Sequence, residues 1–246
     1  MAKNQITEVK NKLQKNYYLL ILDKSGSMHC VKDATIDGFN EQIQTIKELS
    51  GKFTDQEFYV SLLTFNYNVD TVMFNVKAEE AQELGRNDYL PSGSTALYDA
   101  IDKGIANMQK DIADDLKDDY VDAMVNVVIF TDGEENHSNR ESIESIPGRI
   151  KELQEGKKWV FSLVGTNHDV FGAAAKLHIK KGNTMHYANS LVGTRAAHSS
   201  LGNATRGFAA KRASGMDMMQ TNYFEDENGV SVIEEDDLDA SQKDKE

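Results

Sequence analysis

Asp23, Ser25 and Ser27 occupy alternate positions in Leu22-Asp23-Lys24-Ser25-Gly26-Ser27-Met28, and each carries an oxygen able to donate an electron pair to a cation. A tight turn through Gly26 would bring the two hydroxyls to the point the carboxylate faces, so one loop supplies three oxygens. Two further loops carry the same chemistry. Pro91-Ser92-Gly93-Ser94-Thr95 precedes a long helical pattern, with Thr95 at or near its N-cap, and Thr131 runs into Asp132-Gly133-Glu134-Glu135. Neither His nor Cys stands at ligand spacing in these loops, and hard oxygen donors of this kind suit Mg2+, Ca2+ or Mn2+ better than zinc or copper. With Thr95 as a fourth donor and Asp132 as a fifth, a six-coordinate ion keeps a position for water or an outside ligand. If both carboxylates act through bridging water, the inner shell is neutral, and the ion keeps enough charge to attract an acidic side chain from a partner.

Donors so far apart in sequence need a scaffold that brings their loops to one edge. Tyr17 to Leu22 is apolar throughout, as in a strand buried on both faces. Val31 to Leu49 places Ile36, Phe39, Ile43 and Ile46 at helical spacing. Phe58 to Phe65 and Val69 to Phe74 read as strands joined by the short turn Asn66-Tyr67-Asn68, which suggests an antiparallel hairpin at a sheet edge. A second long helix is striped by Leu97, Ile101, Ile105, Met108, Ile112 and Leu116. Beyond it come a buried strand (Ala123 to Thr131), a helix marked by Ile143, Ile146, Ile150 and Leu153, and a strand from Trp159 to Val164. A short helix from Val170 to Leu177, a weak strand from Thr184 to Tyr187 and a closing helix from Leu191 to Lys211 complete the series. This order predicts an α/β fold, a doubly wound (Rossmann-like), mostly parallel six-stranded sheet with one antiparallel edge strand and helices on both faces. Ligands of such sheets bind outside the carboxyl ends of the central strands, where Asp23 and Asp132 stand.

The set Asp23-x-Ser25-x-Ser27, Thr95 and Asp132 resembles the metal-ion-dependent adhesion site of the von Willebrand factor A-type domain, and the element order resembles that fold over residues 17–213. The flanking words ILDKSGSM, GSTALYDAI and VIFTDGEEN are similar to those of intracellular bacterial and phage members. The resemblance implies a non-enzymatic, Mg2+-dependent protein-binding module, with Ca2+ or Mn2+ as alternatives. Ser25, Ser27 and Thr95 would be direct ligands, Asp23 and Asp132 would act largely through water, and the partner would present an Asp or Glu. Two other readings stay open: a Mg2+-dependent phosphohydrolase or phosphotransferase, and a structural protein of a phage or mobile element whose metal only stiffens the loops. Against the first, Ser25 stands where a second acid would be needed, and the chain has no G-x-x-x-x-G-K-[ST] loop.

Composition bounds the rest. The 246 residues, 39% of them hydrophobic, can bury a sizeable core. A net charge of −13 argues against a protein that coats nucleic acid or anionic membrane. One cysteine, Cys30, cannot form an internal disulfide, and the polar first 16 residues lack a secretory pattern, so a cytoplasmic location is expected. The spacing of His29, Cys30 and His137 matches no zinc motif. Residues 1–16 read as a polar extension, 17–213 as the domain and 214–246 as an acidic, flexible tail able to contact its own metal site. Residues 170–216 are locally basic, with seven Lys or Arg and no acid. That stretch could pair with the tail, bind nucleic acid or simply be a lysine-bearing surface.

Overall fold

The computed structural model describes residues 12–166, 170–226 and 228–233. Its centre is a six-stranded sheet in the order β3-β2-β1-β4-β5-β6, formed by β1 (Leu13–Asp23), β2 (Gln56–Phe65), β3 (Val69–Lys77), β4 (Val121–Thr131), β5 (Trp159–Gly165) and β6 (Thr184–His186). Every neighbouring pair is parallel except β2 with β3, the predicted hairpin. Its turn is held locally, because Asn66 Oδ1 accepts from the Asn68 N–H at 2.9 Å. The free edge of the sheet is irregular: the β2–β3 register shifts twice, and Asn75 has a φ of 49°, a left-handed conformation that asparagine tolerates.

Strand alternation divides the interior into two cores. Tyr18, Leu20 and Leu22 face α1 (Lys32–Lys52) and α6 (Leu191–Ala213), whereas Tyr17, Leu19 and Ile21 face α2 (Leu97–Asp111), α4 (Arg140–Glu155) and α5 (Val170–Lys176). A strand buried on both faces has no polar side to show, which accounts for the unbroken apolar run of β1. The stripe expected to run from Leu97 to Leu116 breaks at Ile112, and the short α3 (Ala113–Lys117) follows. Ile112 is buried, and Asp115 just beyond it accepts from Lys15 Nζ and from the Tyr17 hydroxyl.

β1 begins four residues before the predicted apolar run, because Leu13 to Asn16 pair with Val121 to Met124. After α6 the chain returns to the core instead of leaving it. Met218, Tyr223 and Phe224 are buried, and Lys211 Nζ donates to the carbonyls of Asn222 and Glu225. Arg212, also buried, bonds the Asp122 carbonyl and pairs with its carboxylate at 3.2 Å. Two cations of the basic stretch are therefore used in closing the domain. The expected contact between the acidic tail and the metal site falls mostly on residues 227 and 234–246, outside the described residues. Among the described residues no helix is long and apolar enough to cross a membrane.

The α1–α6 contact is close at Gly38, where an added Cβ would lie 2.1 Å from the His198 ring. Gly38→Ala is expected to destabilise the fold by about 2 kcal/mol through overpacking. Combined with His198→Ala, it should cost less than the two single changes together. Urea unfolding of the four proteins checks this; strict additivity would show that the two side chains do not compete for the same space.

Candidate metal centre

β1 and β4 are adjacent and parallel, with Leu22 opposite Phe130, so Asp23 and Thr131 end side by side at the carboxyl edge of the sheet. The chain leaves β1 toward β2 on one side and β4 toward β5 on the other, which opens a crevice between their loops. Asp23 is fully buried. Its Oδ1 accepts from the Ser25 N–H at 2.6 Å and its Oδ2 from the Thr131 hydroxyl at 2.6 Å. Its carbonyl accepts from the Tyr89 hydroxyl, and Tyr89 is itself wholly buried. The strand end is thus clamped from three directions before any ligand is considered.

The other donors converge on the same point. Ser25 Oγ lies 3.1 Å from Ser27 Oγ, and the Ser27 hydroxyl donates to Asp132 Oδ1 at 2.6 Å. Asp132 Oδ2 accepts from Asn189 Nδ2 at 3.2 Å, and the Asp132 carbonyl accepts from Thr166 Oγ1 at 2.7 Å. Thr95 is held by its backbone, whose N–H donates to Asn136 Oδ1 at 2.9 Å. Gly133 marks the focus of the group: a Cβ built on it would lie 3.2 Å from Thr95 Oγ1, 3.7 Å from Asp23 Oδ2 and 3.8 Å from Ser27 Oγ. Glycine there leaves a small space walled by oxygens of the first two loops, and the Asp132 carboxylate of the third joins them through Ser27. Asp23, Ser25, Ser27, Thr95 and Asp132 are therefore brought together.

Several neighbouring residues have other employment. Thr95 is not the N-cap of α2, since Ala96 holds that position without a side-chain bond. The first amides of the helix are instead met by Ser138 Oγ, which accepts from the N–H groups of Tyr98 and Asp99 at 3.0 and 3.2 Å, and by Glu135 Oε2, which accepts from that of Tyr98. Glu135 also organises the loop by accepting from the amides of His137 and Ser138. Lys24, between the first two donors, is partly buried and paired with Asp70 of β3. Gly26 and Gly93 bind the first two loops together through Gly26 N–H to Gly93 O at 3.0 Å. Thr131, Gly133, Asn136 and Asn189 were missed by sequence reasoning. Thr131 and Gly133 flank Asp132 directly, but no spacing rule links Asn136 or Asn189 to donors from 41 to 57 residues away.

The electrostatics follow from this enclosure. Burial pushes Asp23 up to about 6, against the bonds from Thr131 and Ser25 that favour its charged form, and the Asp132 charge adds to the rise. Burial raises Asp132 as well, opposed by Ser27 and Asn189. Two carboxylates that resist ionisation, beside hydroxyls that face the same space, form a site a cation would relieve. The donors fit a hard divalent ion: all are oxygens, only two are charged, and the side toward solvent is open at the exposed Ser27. Among the described residues, no group of three or more His, Cys, Asp or Glu is placed to hold a metal, so any such site here must rely on hydroxyls.

Known structures share this architecture. A von Willebrand factor type A protein from Catenulispora acidiphila aligns with 79% of this chain and 43% of its own, at 14% identity and a TM-score of 0.54. The PilB minor pilin from Streptococcus sanguinis aligns with 80% of this chain and 62% of its own, at 12% identity and a TM-score of 0.56. An ArnB paralog, VWA2, from Sulfolobus acidocaldarius aligns over 77% and 46%, at 16% identity and a TM-score of 0.50. The chain thus spans about half of these proteins, and at such identity the likeness is one of fold. No curated protein sequence matches. The family model of the von Willebrand factor type A domain matches residues 19–192, which contain all five candidate donors, and the chain belongs to that family.

Proposed function

We propose that this chain is a divalent-metal-dependent protein-interaction module. Asp23, Ser25, Ser27, Thr95 and Asp132 would hold Mg2+, with Ca2+ or Mn2+ able to substitute, and an Asp or Glu of a partner would complete the ion's shell. The observation that carries this reading is the convergence of side-chain oxygens from three loops, with Asp23, Ser27 and Thr95 around Gly133 and Asp132 bonded to Ser27. Family membership supports it in general terms, since domains of this type typically mediate metal-dependent protein interactions. A bound ion supplies positive charge for a carboxylate to meet. The chain's own part is to orient Asp23 through Thr131 and Ser25, whose bonds offset part of its burial, and to hold Asp132 between Ser27 and Asn189. Both oxygens of Asp23 are already taken by donors and the group is buried, which disfavours the phosphotransferase reading, where that carboxylate would have to attack.

A site with a Kd of about 0.1 mM should stabilise the fold by about 1.4 kcal/mol at about 1 mM free Mg2+, and a chelator should remove the increment. Ser25→Ala with Ser27→Ala is expected to abolish the shift in thermal denaturation while leaving a folded domain; a shift that persists would move the ion elsewhere.

The pH dependence has a definite sign. Folded Asp23 keeps its proton to about 6, against about 3.9 unfolded, so without metal this group's contribution is full below about pH 4 and is lost as pH rises through about 6. Asp23→Asn should remove that loss and make the metal-free protein more stable near neutral pH, while cancelling the response to Mg2+. Denaturant melts in chelator at acidic and neutral pH test this, and a variant less stable than wild type at neutral pH would contradict it.

For the interaction itself, proteins captured from an extract in Mg2+ should be lost both in chelator and with Asp23→Asn. A glutamate-bearing peptide should compete with them; capture indifferent to all three treatments would overturn the reading.

A further inference from the structure

Lys24 stands between two of the proposed donors, Asp23 and Ser25, and is the one basic residue in the stretch from Asp23 to Ser27. An ammonium group left free at that point would offer the buried carboxylates a counterion from the chain itself, in competition with a divalent ion. The fold sends it elsewhere. In the sheet order β3-β2-β1, the Lys24 side chain crosses the end of β2 and reaches the outermost strand, where its Nζ pairs with Asp70. The lysine side chain is only 15% exposed in that position, whereas the Asp70 side chain is 57% exposed.

The path of the loop does not depend on this pair. Lys24 N–H donates to the Phe65 carbonyl at 2.7 Å, its carbonyl accepts from the Ser92 N–H at 2.9 Å, and Gly26 N–H donates to the Gly93 carbonyl at 3.0 Å. The Asp23 carbonyl is held in addition by the Tyr89 hydroxyl. Four main-chain bonds therefore fix the backbone on both sides of Lys24 without help from its side chain. An ion pair with one partner so exposed also adds little to stability. What the pair does change is local charge. Asp23 and Asp132 are buried and answered by neutral donors alone, so a neighbouring positive charge acts on them with little screening.

We infer that Asp70 is a positioning residue of the metal centre: by engaging Lys24 it keeps that ammonium away from Asp23 and Asp132 and leaves the two carboxylates to a divalent ion. This rests on the metal-binding reading above and names a residue outside the donor set that governs the site's affinity.

The test is calorimetric titration of Mg2+ into the full chain and its variants, each checked for folding by a thermal melt. Asp70→Asn should weaken binding by about fivefold, because it leaves the Lys24 charge uncompensated beside the site. Lys24→Met should bind at least as well as wild type, and Lys24→Met with Asp70→Asn should return to within about twofold of it, a rescue that a purely structural role for the pair would not give. Asp114→Asn, the same charge change at an exposed position of α3, should leave binding unaltered. A second readout needs no metal: in chelator, brief acetylation followed by peptide mass mapping should modify Lys24 slowly in wild type and faster in Asp70→Asn. Unchanged Mg2+ affinity in Asp70→Asn, a double variant as weak as Asp70→Asn alone, or equal acetylation of Lys24 in the two proteins would each overturn the inference. Absence of Mg2+ uptake by wild type would instead overturn the metal-binding reading itself, and this inference with it.

Discussion

The constraint on which the site rests is the enclosure of Asp23 and Asp132 at neighbouring strand ends, where burial makes both charges expensive. Every bond around them can be understood as a partial answer to that expense. Thr131 and the Ser25 amide hold the first carboxylate, Ser27 and Asn189 the second, yet among the described residues no lysine or arginine is paired with either. Lys24, the nearest cation in sequence, is committed to Asp70. The arrangement leaves negative charge incompletely compensated beside a ring of hydroxyls, and a fold that keeps such a debt is suited to a cation from outside.

The same enclosure determines how the scaffold is built. Two carboxylates can be buried at a crevice only if the strands beneath them are rigid, and β1 and β4 achieve this by being apolar on both faces, between α1 and α6 on one side and α2, α4 and α5 on the other. Loop positions are then fixed by exchanges between loops: Gly26 with Gly93, Lys24 with Ser92, Thr95 with Asn136. A hydroxyl that coordinates an ion must not be spent on capping a helix. Ser138 and Glu135 relieve Thr95 of that duty by capping α2 from the neighbouring loop.

The two faces of the sheet differ in what they offer to other molecules. The carboxyl edge gathers hydroxyls and acids around a point, which suits an ion and through it an acidic group. On the α1–α6 side, Asp37 and Glu41 lie at the outer surface while the His198 ring turns inward onto Phe130.

The succession of strands and helices was legible in the sequence because burial on one or two faces imposes a period that composition cannot hide. Tyr17 to Leu22, the Ile36-Phe39-Ile43-Ile46 stripe and the Asn66 turn each betray their element within a few residues. The proposed donors Asp23, Ser25 and Ser27 could be picked out together because they are neighbours on one loop. What only the tertiary structure decided was the employment of groups whose partners lie far along the chain. Asn189 against Asp132, Asn136 against Thr95, Lys24 against Asp70 and the return of Tyr223 and Phe224 to the core depend on where distant segments meet. Local periodicity records which face of an element is buried, but not which distant side chain will meet it there; that is settled when the sheet closes its order and the loops at its edge compete for the same few donors.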